Sequence, residues 1–357
     1  MTDPWYLTSA NTPDQTSFEK AQARQEQLTK PLGSLGELEQ IAMQFSAWQG
    51  TDTPHLHKIL IRVFAGDHGI CNESSSNENV SAFPQSVTSQ MVHNFLAGGA
   101  AISVLSRHIN ADFAVVNMGT AEPINITNDK LVTHQLMNAT HDFTEQAAMS
   151  TLTLQKALQA GADEIKAQQT DLFIAGEMGI GNTTSAAAII SLLLKVGPEA
   201  TVGAGTGVDK DGMAIKRNVI YRAFNKHGDA LDTPLSILQH VGGLEIAALV
   251  GAYIAAAQQS TPILVDGFIT TAAALLAVEI NPSVRDWMMF AHQSAEKGHV
   301  LALKKLDAKP LLNIGMRLGE ASGAAVTVPL IQSALALHKQ MATFDEANVS
   351  NNSVESE

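Results

Sequence analysis

The stretch that decides the fold is Asp171-Leu172-Phe173-Ile174-Ala175-Gly176-Glu177-Met178-Gly179-Ile180-Gly181-Asn182-Thr183-Thr184-Ser185. Its first five residues have the length of a short buried strand, and the alanine- and isoleucine-rich residues after it continue as a helix would. The glycines between them permit close approach of the backbone to a ligand, and the first amides of a helix bind anions such as phosphate. An ordinary turn between a strand and a well-capped helix explains the same residues, with Asn182, Thr183 and Thr184 as possible caps.

The composition is that of a globular α/β protein. The chain has 357 residues, of which 45% are hydrophobic, 16% are charged and only 5% are aromatic. Abundant alanine and glycine favour closely packed helices on a sheet over an all-β sandwich. The net charge of −13 argues against a nucleic-acid partner or an anionic membrane surface. An anionic ligand would therefore need a local pocket of amides and a few cations.

The sequence favours a cytoplasmic enzyme. Cys71 is the single cysteine, so no intrachain disulfide can form. The first five residues lack the basic and apolar regions of a signal peptide, and the long apolar stretches are interrupted by Lys195, Glu245 and Asp266.

Short apolar strands alternate with helical segments along the chain. We predict strands at 58–65, 112–116, 171–175, 262–265 and 287–291. A polar residue follows each predicted strand: Asp67, Asn117, Glu177, Asp266 and His292. This order predicts a mostly parallel, helix-covered sheet with ligand groups outside the carboxyl ends of its strands.

Several common sites are disfavoured by spacing. Asn182 stands where a P-loop needs lysine, and neither glycine cluster has the Gly-x-Gly-x-x-Gly spacing of a dinucleotide fold. His292 and His299 do not match a zinc spacing, nor does Asp67 with His68, so we expect no metal site and interpret the histidines as core or rim residues.

Two carboxylates are ambiguous from the residues alone. Asp266 is either a ligand group or the N-cap of the helix that follows it. Glu320 lies among Gly319, Ala321 and Ser322, whose small side chains leave space around its carboxylate. A first-turn glutamate favoured by the helix dipole is the alternative.

Six motifs in order resemble the nicotinate-nucleotide:dimethylbenzimidazole phosphoribosyltransferase family, which makes the lower ligand of cobalamin. The resemblance runs from about residue 20 to 340. The motifs are Lys30-Pro31-Leu32-Gly33-Ser34-Leu35-Gly36, Ala65-Gly66-Asp67-His68-Gly69-Ile70, Gly176 to Thr184, Gly203 to Gly207, Val265-Asp266-Gly267 and Arg317-Leu318-Gly319-Glu320 with Ser322-Gly323-Ala324-Ala325.

The resemblance implies a Rossmann-like α/β domain over residues 28–285 and a small helical domain built from both chain ends, 1–27 with 286–345. It also implies a homodimer without metal or cofactor. The polar tail 346–357 is expected to be disordered, and the polar loop 72–79 is a possible lid.

The resemblance also implies a reaction: nicotinate mononucleotide and dimethylbenzimidazole give α-ribazole 5′-phosphate and nicotinate, with inversion at the anomeric carbon. Glu320 is the expected general base and Glu177 the second carboxylate near the reacting centre. For phosphate and ribose we expect Gly179, Gly181, Asn182, Thr183, Gly205, Thr206, Gly207, Lys216, Asp266 and Arg317. For the benzimidazole we expect Ser81, Phe83, Gln90, Met178 and Leu318.

Two alternatives remain open at this stage. A protein that binds the same ligands without turnover is disfavoured, because Glu320 and both glycine clusters are intact. A transferase of the same chemistry with another acceptor base, such as adenine or a phenol, is also compatible with the sequence.

Overall fold

The computed structural model describes residues 4–72, 80–166, 168–205 and 207–350. Within those residues, six strands form one parallel sheet. The strands are β1 Ile59–Gly66, β2 Asp112–Gly119, β3 Leu131–Thr133, β4 Leu172–Met178, β5 Ile263–Val265 and β6 Met288–Phe290. This confirms the predicted α/β class and the parallel sheet.

Helices surround the sheet and build the rest of the chain. Their bounds are α1 Gln15–Gln27, α2 Glu37–Gln49, α3 Val87–Ala97, α4 Ala101–His108, α5 Thr151–Lys166, α6 Asn182–Leu194, α7 Pro198–Thr201, α8 Lys210–His227, α9 Pro234–Val241, α10 Leu244–Gln258, α11 Phe268–Ile280, α12 Lys297–Lys305, α13 Ser322–Gln340 and α14 Phe344–Ala347. Short 3₁₀ turns lie at Trp5–Leu7, Gly69–Cys71, Gly228–Ala230 and Pro282–Trp287.

The strand order places a topological switch at the middle of the sheet. The order is β3-β2-β1-β4-β5-β6, so the chain builds outward from β1 in one direction and then returns to the other side of β1 with β4. In open α/β sheets, ligands bind outside the carboxyl ends of the strands at such a switch. The carboxyl end of β4, which carries Glu177, is therefore where a binding site is expected.

The core around the sheet is made of strands and helices that are apolar on all sides. Every residue of β1 is buried, and α10 is buried from Leu244 to Ala257. Glycines let α10 pack closely on α5, because a Cβ on Gly161 would collide with the Ala248 carbonyl and one on Gly251 with the Leu158 carbonyl. A helix that is apolar on every face is stable only when it is buried in this way.

The chain divides into two compact units. One comprises Met1–Asn11 with Lys58–Val326, and the other comprises Thr12–His57 with Thr327–Glu357. These bounds differ from the division implied by the resemblance, which assigned 286–345 to the small domain. The difference arises because β6 hydrogen-bonds to β5 as part of the sheet, which keeps residues up to Val326 in the larger unit.

The smaller unit is helical and joins both chain ends, as the resemblance implied. Helix α1 packs on α2, where Phe45 and Trp48 meet edge to face with 5.2 Å between ring centroids. Arg24 donates to the carbonyls of His338, Lys339 and Met341, which satisfies backbone groups at the end of α13. Buried Lys30 and Glu39 form an ion pair at 2.8 Å.

Two expectations about mobile segments fall partly outside the described residues. Of the loop at 72–79, residues 73–79 lie outside them, and of the tail, residues 351–357 do. The tail does not begin at 346 as expected, because α14 covers Phe344–Ala347 and is closed by a Thr343–Glu346 capping box. Among the described residues, no helix combines the length and apolarity needed to cross a membrane.

Candidate active site

A cavity of about 350 Å³ lies in the larger unit at the carboxyl ends of β4, β5 and β6. Its walls come from the start of α3, the turn between β4 and α6, the segment after β5, the segment after β6 and the loop before α13. The lining residues are Phe83, Val87, Met91, Glu177, Met178, Gly179, Ile180, Asn182, Thr183, Gly205, Asp266, Gly267, Phe268, Ile269, Thr270, His292, Ser294, Glu296, Arg317, Leu318, Gly319 and Glu320.

The glycine turn after β4 packs against the segment after β1 and against α3. A Cβ on Gly179 would collide with the Gly66 carbonyl, and one on Gly181, which has φ 101°, would lie 2.7 Å from Cys71 Sγ. The Ile180 amide donates to the buried hydroxyl of Thr88 at 3.1 Å. Glycine is therefore needed at these positions so that the turn can pack closely against the rest of the protein, whether or not a ligand is bound.

Helix α6 is not capped as the sequence suggested. Its N-cap is Gly181, and no side-chain cap bond forms there; the Asn182 side chain instead donates to Glu177 Oε2. The Asn182 and Thr184 amides donate to the carbonyls of Gly179 and Gly181. Asn182 therefore orients a carboxylate in the cavity, and its own amide is already used within the turn.

Glu177 is a buried carboxylate at the end of β4. Burial raises its pKa well above the ordinary glutamate value, and the nearby carboxylates of Glu245, Asp266 and Glu320 raise it further. Gly319 lies directly against it, since a Cβ there would collide with Glu177 Oε1. Glu177 and the loop that carries Glu320 are thus packed together in the wall of one cavity.

Glu320 lies in an unusual backbone conformation. Gly319, Glu320 and Ala321 have φ values of 86°, 62° and 68°, all in the left-handed region. For the two non-glycine residues this costs about 1–2 kcal/mol each, so the surrounding packing has to enforce it. Strain of this kind is concentrated at functional sites, which supports a functional interpretation of Glu320 over a simple first-turn glutamate.

The carboxyl group of Glu320 is suited to accept a proton near neutral pH. The residue is 7% exposed, and burial raises the pKa of its carboxyl to about 7. Its Oε2 atom is buried without a hydrogen-bond partner among the described residues. A general base works best when its pKa lies close to the operating pH.

Asp266 does not cap the helix that follows it. The first turn of α11 is closed by Gly267 and Thr270, whereas Asp266 Oδ1 accepts from the Ala324 amide of α13 at 2.7 Å. Burial raises the pKa of Asp266 to about 7, although hydrogen bonds from the amides of Ala324, Gly323 and Ala321 act in the opposite direction. Asp266 is therefore bound to the segment that carries Glu320.

A buried ammonium group lies behind the polar end of the cavity, next to the lining residues Thr183 and Gly205. Lys216 Nζ donates to Thr183 Oγ1 at 3.0 Å, and a Cβ on Gly205, which has φ 54°, would lie 2.8 Å from the same nitrogen. The Gly205 amide donates to Glu296 Oε1 at 2.9 Å. Burial lowers the pKa of Lys216 and the Glu296 carboxylate opposes that shift. This end offers the cation and the hydroxyl that a phosphate requires.

The opposite wall is apolar and reaches the surface. Phe83 and Leu318 are 47% and 57% exposed, and Val87, Met91 and Met178 continue the wall inward. Exposed large apolar side chains at the mouth of a cavity are typical of a ligand-binding site.

Eleven of the described residues expected in the site line this cavity: Phe83, Glu177, Met178, Gly179, Asn182, Thr183, Gly205, Asp266, Arg317, Leu318 and Glu320. Five do not: Ser81, Gln90, Gly181, Gly207 and Lys216. Ser81 accepts from the Phe83 amide, Gln90 is exposed while Met91 beside it lines the wall, and Lys216 acts through Thr183. Thr206 lies outside the described residues. The ligand contacts assigned to these residues remain predictions.

Two of the five polar residues at strand ends are structural. Asp67 Oδ2 accepts from the Ala121 amide at 2.8 Å, and the Asn117 side chain donates to Gln135. Asp67 follows β1 and Asn117 lies near the end of β2, and both side chains are used in bonds to neighbouring loops. Glu177 near the end of β4, Asp266 directly after β5 and His292 two residues after β6 all line the cavity, as the pattern of polar residues at strand ends predicted.

Four polar residues of the cavity had been assigned no catalytic or binding role from the sequence: Thr270, His292, Ser294 and Glu296. His292 was interpreted as a core or rim residue, but it lines the cavity with its Nε2 3.8 Å from Asp266 Oδ1. Its position two residues after β6 was the available signal, and the same rule extended by two residues would have included Ser294. Nothing in the sequence distinguishes Glu296. In the described part of the chain, no group of three or more His, Cys, Asp or Glu residues is arranged to hold a metal ion.

Comparison with known proteins identifies similar sequences over nearly the whole chain. A family model described as "Phosphoribosyltransferase" matches residues 10–349. A nicotinate-nucleotide–dimethylbenzimidazole phosphoribosyltransferase of Xanthomonas oryzae is 52% identical over 354 residues, which cover 98% of this chain and 99% of the relative. The protein of that name from Pseudomonas putida is 49% identical and covers 99% of this chain and 100% of its own.

A solved structure shares the fold. The crystal structure of nicotinate-nucleotide–dimethylbenzimidazole phosphoribosyltransferase from Thermus thermophilus superposes with a TM-score of 0.87. It is 38% identical in sequence, and the match covers 95% of this chain and all of the other.

Proposed function

The chain belongs to the nicotinate-nucleotide–dimethylbenzimidazole phosphoribosyltransferase family, and from that premise we propose how its cavity performs the transfer. The enzyme moves the phosphoribosyl group of nicotinate mononucleotide to dimethylbenzimidazole and releases nicotinate and α-ribazole 5′-phosphate. This reaction belongs to synthesis of the cobalamin lower ligand.

The single observation that carries the proposal is the pairing of Glu320 and Glu177 at one end of an apolar slot. One benzimidazole nitrogen attacks the anomeric carbon while the bond to nicotinate breaks, and the other ring nitrogen loses its proton to Glu320. The nucleotide already contains a good leaving group, a pyridinium ring, so the protein has to supply orientation and a base more than an acid. Attack from the face opposite nicotinate gives inversion from β to α.

Glu177 stabilises the positive charge that develops on the sugar. Electrostatic stabilisation of this kind is strongest where water is excluded, and Glu177 is 5% exposed. The Asn182 side chain fixes the orientation of this carboxylate through its bond to Oε2. The positive charge of the pyridinium ring moves toward the anomeric carbon as the bond to nicotinate breaks, so an ionised Glu177 beside the sugar stabilises the transition state more than the bound substrate.

The phosphate binds at the end of the cavity formed by Thr183 and Gly205, with Lys216 behind them. Lys216 already donates to the Thr183 hydroxyl, and that bond orients the hydroxyl toward the cavity. Arg317 lies on the exposed loop before α13 and supplies a second positive charge at the cavity wall. The overall charge of −13 makes these local cations necessary for an anionic substrate.

The acceptor base binds between Phe83, Met178 and Leu318. Flat aromatic rings bury large apolar areas against such side chains. The partial exposure of Phe83 and Leu318 means that a bound heterocycle removes apolar surface from water on both its faces.

We also propose that the enzyme acts in the cytoplasm and as a homodimer. The single cysteine and the acidic composition support the cytoplasmic assignment, and family membership supports the dimer. The molar mass measured by light scattering during size-exclusion chromatography, at several protein concentrations, tests the dimer. A mass of 37.9 kDa, that of the monomer, at all concentrations contradicts it.

The direct test is nicotinate release by the purified protein from nicotinate mononucleotide and dimethylbenzimidazole. No release at high enzyme concentration contradicts the function. Mass spectrometry of products from an equimolar mixture of dimethylbenzimidazole, adenine and a phenol identifies the preferred acceptor in the same experiment. The anomeric configuration of the product, read by NMR, tests inversion.

A further inference from the structure

Asp266 and α13 are joined across the fold. The Asp266 carboxylate lies directly after β5. It accepts a hydrogen bond from the amide of Ala324, which lies 58 residues later in the first turn of α13. Asp266 is 1% exposed, so this charge-assisted hydrogen bond forms away from water. Bonds of this type are about twice as strong as neutral ones.

The first turn of α13 receives part of its hydrogen bonding from outside the helix. Ser322 is the first residue of α13, and its amide and its hydroxyl both donate to the Gly319 carbonyl, at 3.0 and 2.6 Å. Amides in the first turn of a helix have no partner within the helix and must be satisfied from outside. Asp266 provides that acceptor from another element.

The same turn has to keep Glu320 in its left-handed conformation. Three consecutive positive φ values precede α13, and the chain would relax from them if the helix start were free to move. Gly323 shows how closely the helix start is packed. A Cβ on that residue would lie 2.9 Å from Asp266 Oδ1 and would collide with the His292 ring.

We propose that Asp266 is a positioning residue for the general base: by capping α13 from across the sheet, it fixes the backbone turn that presents Glu320 to the acceptor. This inference rests on the proposed function for the identity of the base. It replaces the expected role of Asp266 as a ribose ligand.

The alternative role makes different predictions. Asp266 Oδ2 lies in the cavity wall and is unpaired among the described residues, so a direct contact with ribose hydroxyls is the competing interpretation. A ribose ligand determines binding of the nucleotide. A positioning residue determines kcat and leaves nucleotide binding unchanged.

The first experiment measures hydrogen–deuterium exchange of the segment 319–326 without substrate. Asp266→Ala is expected to accelerate exchange at the Ala324 amide about 10-fold or more, because one charge-assisted hydrogen bond is lost. Asp266→Asn keeps an acceptor oxygen of the same shape and is expected to retain most of the protection. Unchanged exchange in Asp266→Ala overturns the proposal. This measurement does not require turnover, so it remains decisive even if the wild type releases no nicotinate and the proposed function fails.

The second experiment measures kcat and KM for nicotinate mononucleotide in two backgrounds. In the wild-type background, Asp266→Ala is expected to lower kcat about 10-fold or more with KM within about 2-fold, and Asp266→Asn to restore most of the rate. In the Glu320→Gln background, Asp266→Ala is expected to cost no further rate, because the residue acts through Glu320. A KM that rises in both backgrounds supports the ribose contact and contradicts the positioning role.

A third variant tests the proposal in the case that Asp266→Ala does not fold. If Asp266→Ala does not fold, Asp266→Glu keeps the charge but moves the acceptor by one methylene group. It is expected to lower kcat without raising the calorimetric dissociation constant for nicotinate mononucleotide. A larger dissociation constant for nicotinate mononucleotide with unchanged kcat contradicts the proposal.

Discussion

Gly176 of β4 lies directly against the peptide that joins Glu320 to Ala321. A Cβ on Gly176 would come within 2.6 Å of the Glu320 carbonyl carbon and the Ala321 amide nitrogen. A strand residue one position before Glu177 thus supports the loop that carries Glu320. Glu177 and Glu320 are therefore connected through the contact between Gly176 and the Glu320–Ala321 peptide.

Gly176→Ala is expected to displace the Glu320 loop and lower kcat about 10-fold or more, since misplacement by about 1 Å costs up to 10²-fold. Ala175→Gly in the same strand is the control. It removes a buried methyl group and is expected to lower the free energy of unfolding by about 1 kcal/mol while kcat is retained. Steady-state kinetics and thermal unfolding of both variants separate the two effects. Equal kcat losses in both variants would contradict the specific role of Gly176.

Glu320→Gln is expected to lose about 10²-fold or more in kcat, because the amide cannot accept the benzimidazole proton. KM for nicotinate mononucleotide is expected to change little. Glu199→Gln, an exposed residue on α7, is the matched control and is expected to behave as the wild type. A near-normal rate in Glu320→Gln would exclude it as the base.

The pH dependence of kcat/KM is expected to show an acidic limb centred near pH 7. Burial raises the pKa of Glu320 to about 7, and a base is active only when ionised, so the rate rises about 10-fold per pH unit below that value and levels off above it. Glu177 and Asp266 share the cavity, and the limb therefore reports the coupled carboxylates together. The limb is expected to be lost in Glu320→Gln. A rate that is constant from pH 5 to 8 contradicts the assignment.

Lys216→Met is expected to raise KM for nicotinate mononucleotide about 10-fold or more, because it removes the cation and frees the Thr183 hydroxyl. The effect on kcat is expected to be smaller. Lys226→Met is the control. Lys226 is exposed on the same helix, and its substitution changes the net charge by the same amount as Lys216→Met. An identical KM change in both variants would indicate a general charge effect.

Stability is expected to respond to pH with the opposite sign from activity. The folded pKa of Glu320 is raised from 4.5 to about 7, so between these values the folded state binds more protons than the unfolded state. The contribution of Glu320 is therefore present below about pH 4.5 and is lost as pH rises through 7. Relative to the wild type, Glu320→Gln should gain on the order of 2 kcal/mol in free energy of unfolding from pH 5 to 8. Glu199→Gln should show a constant difference over that range, and denaturant unfolding at several pH values tests both.

Much of the fold follows from local pattern. The strands at β1, β2, β4, β5 and β6 are apolar runs of the expected length, because residues buried on both faces of a parallel sheet have to be hydrophobic throughout. Strand β3 was not predicted, since its three residues are partly exposed and carry no such run. The polar residues after β4, β5 and β6 were placed correctly at the cavity, because the geometry of a parallel sheet gathers them at one edge.

The sequence by itself determined the α/β class, the carboxylates at the strand ends and the family, since each depends on patterns read along a continuous segment. Only the tertiary structure decided what those carboxylates contact. Asp266 is bound to an amide 58 residues away, and Gly176 touches the Glu320 loop across a still longer separation in sequence. Such contacts depend on the lateral order of strands and on which loop packs over which strand end. That order is set by the packing of the whole chain, and no local pattern encodes it.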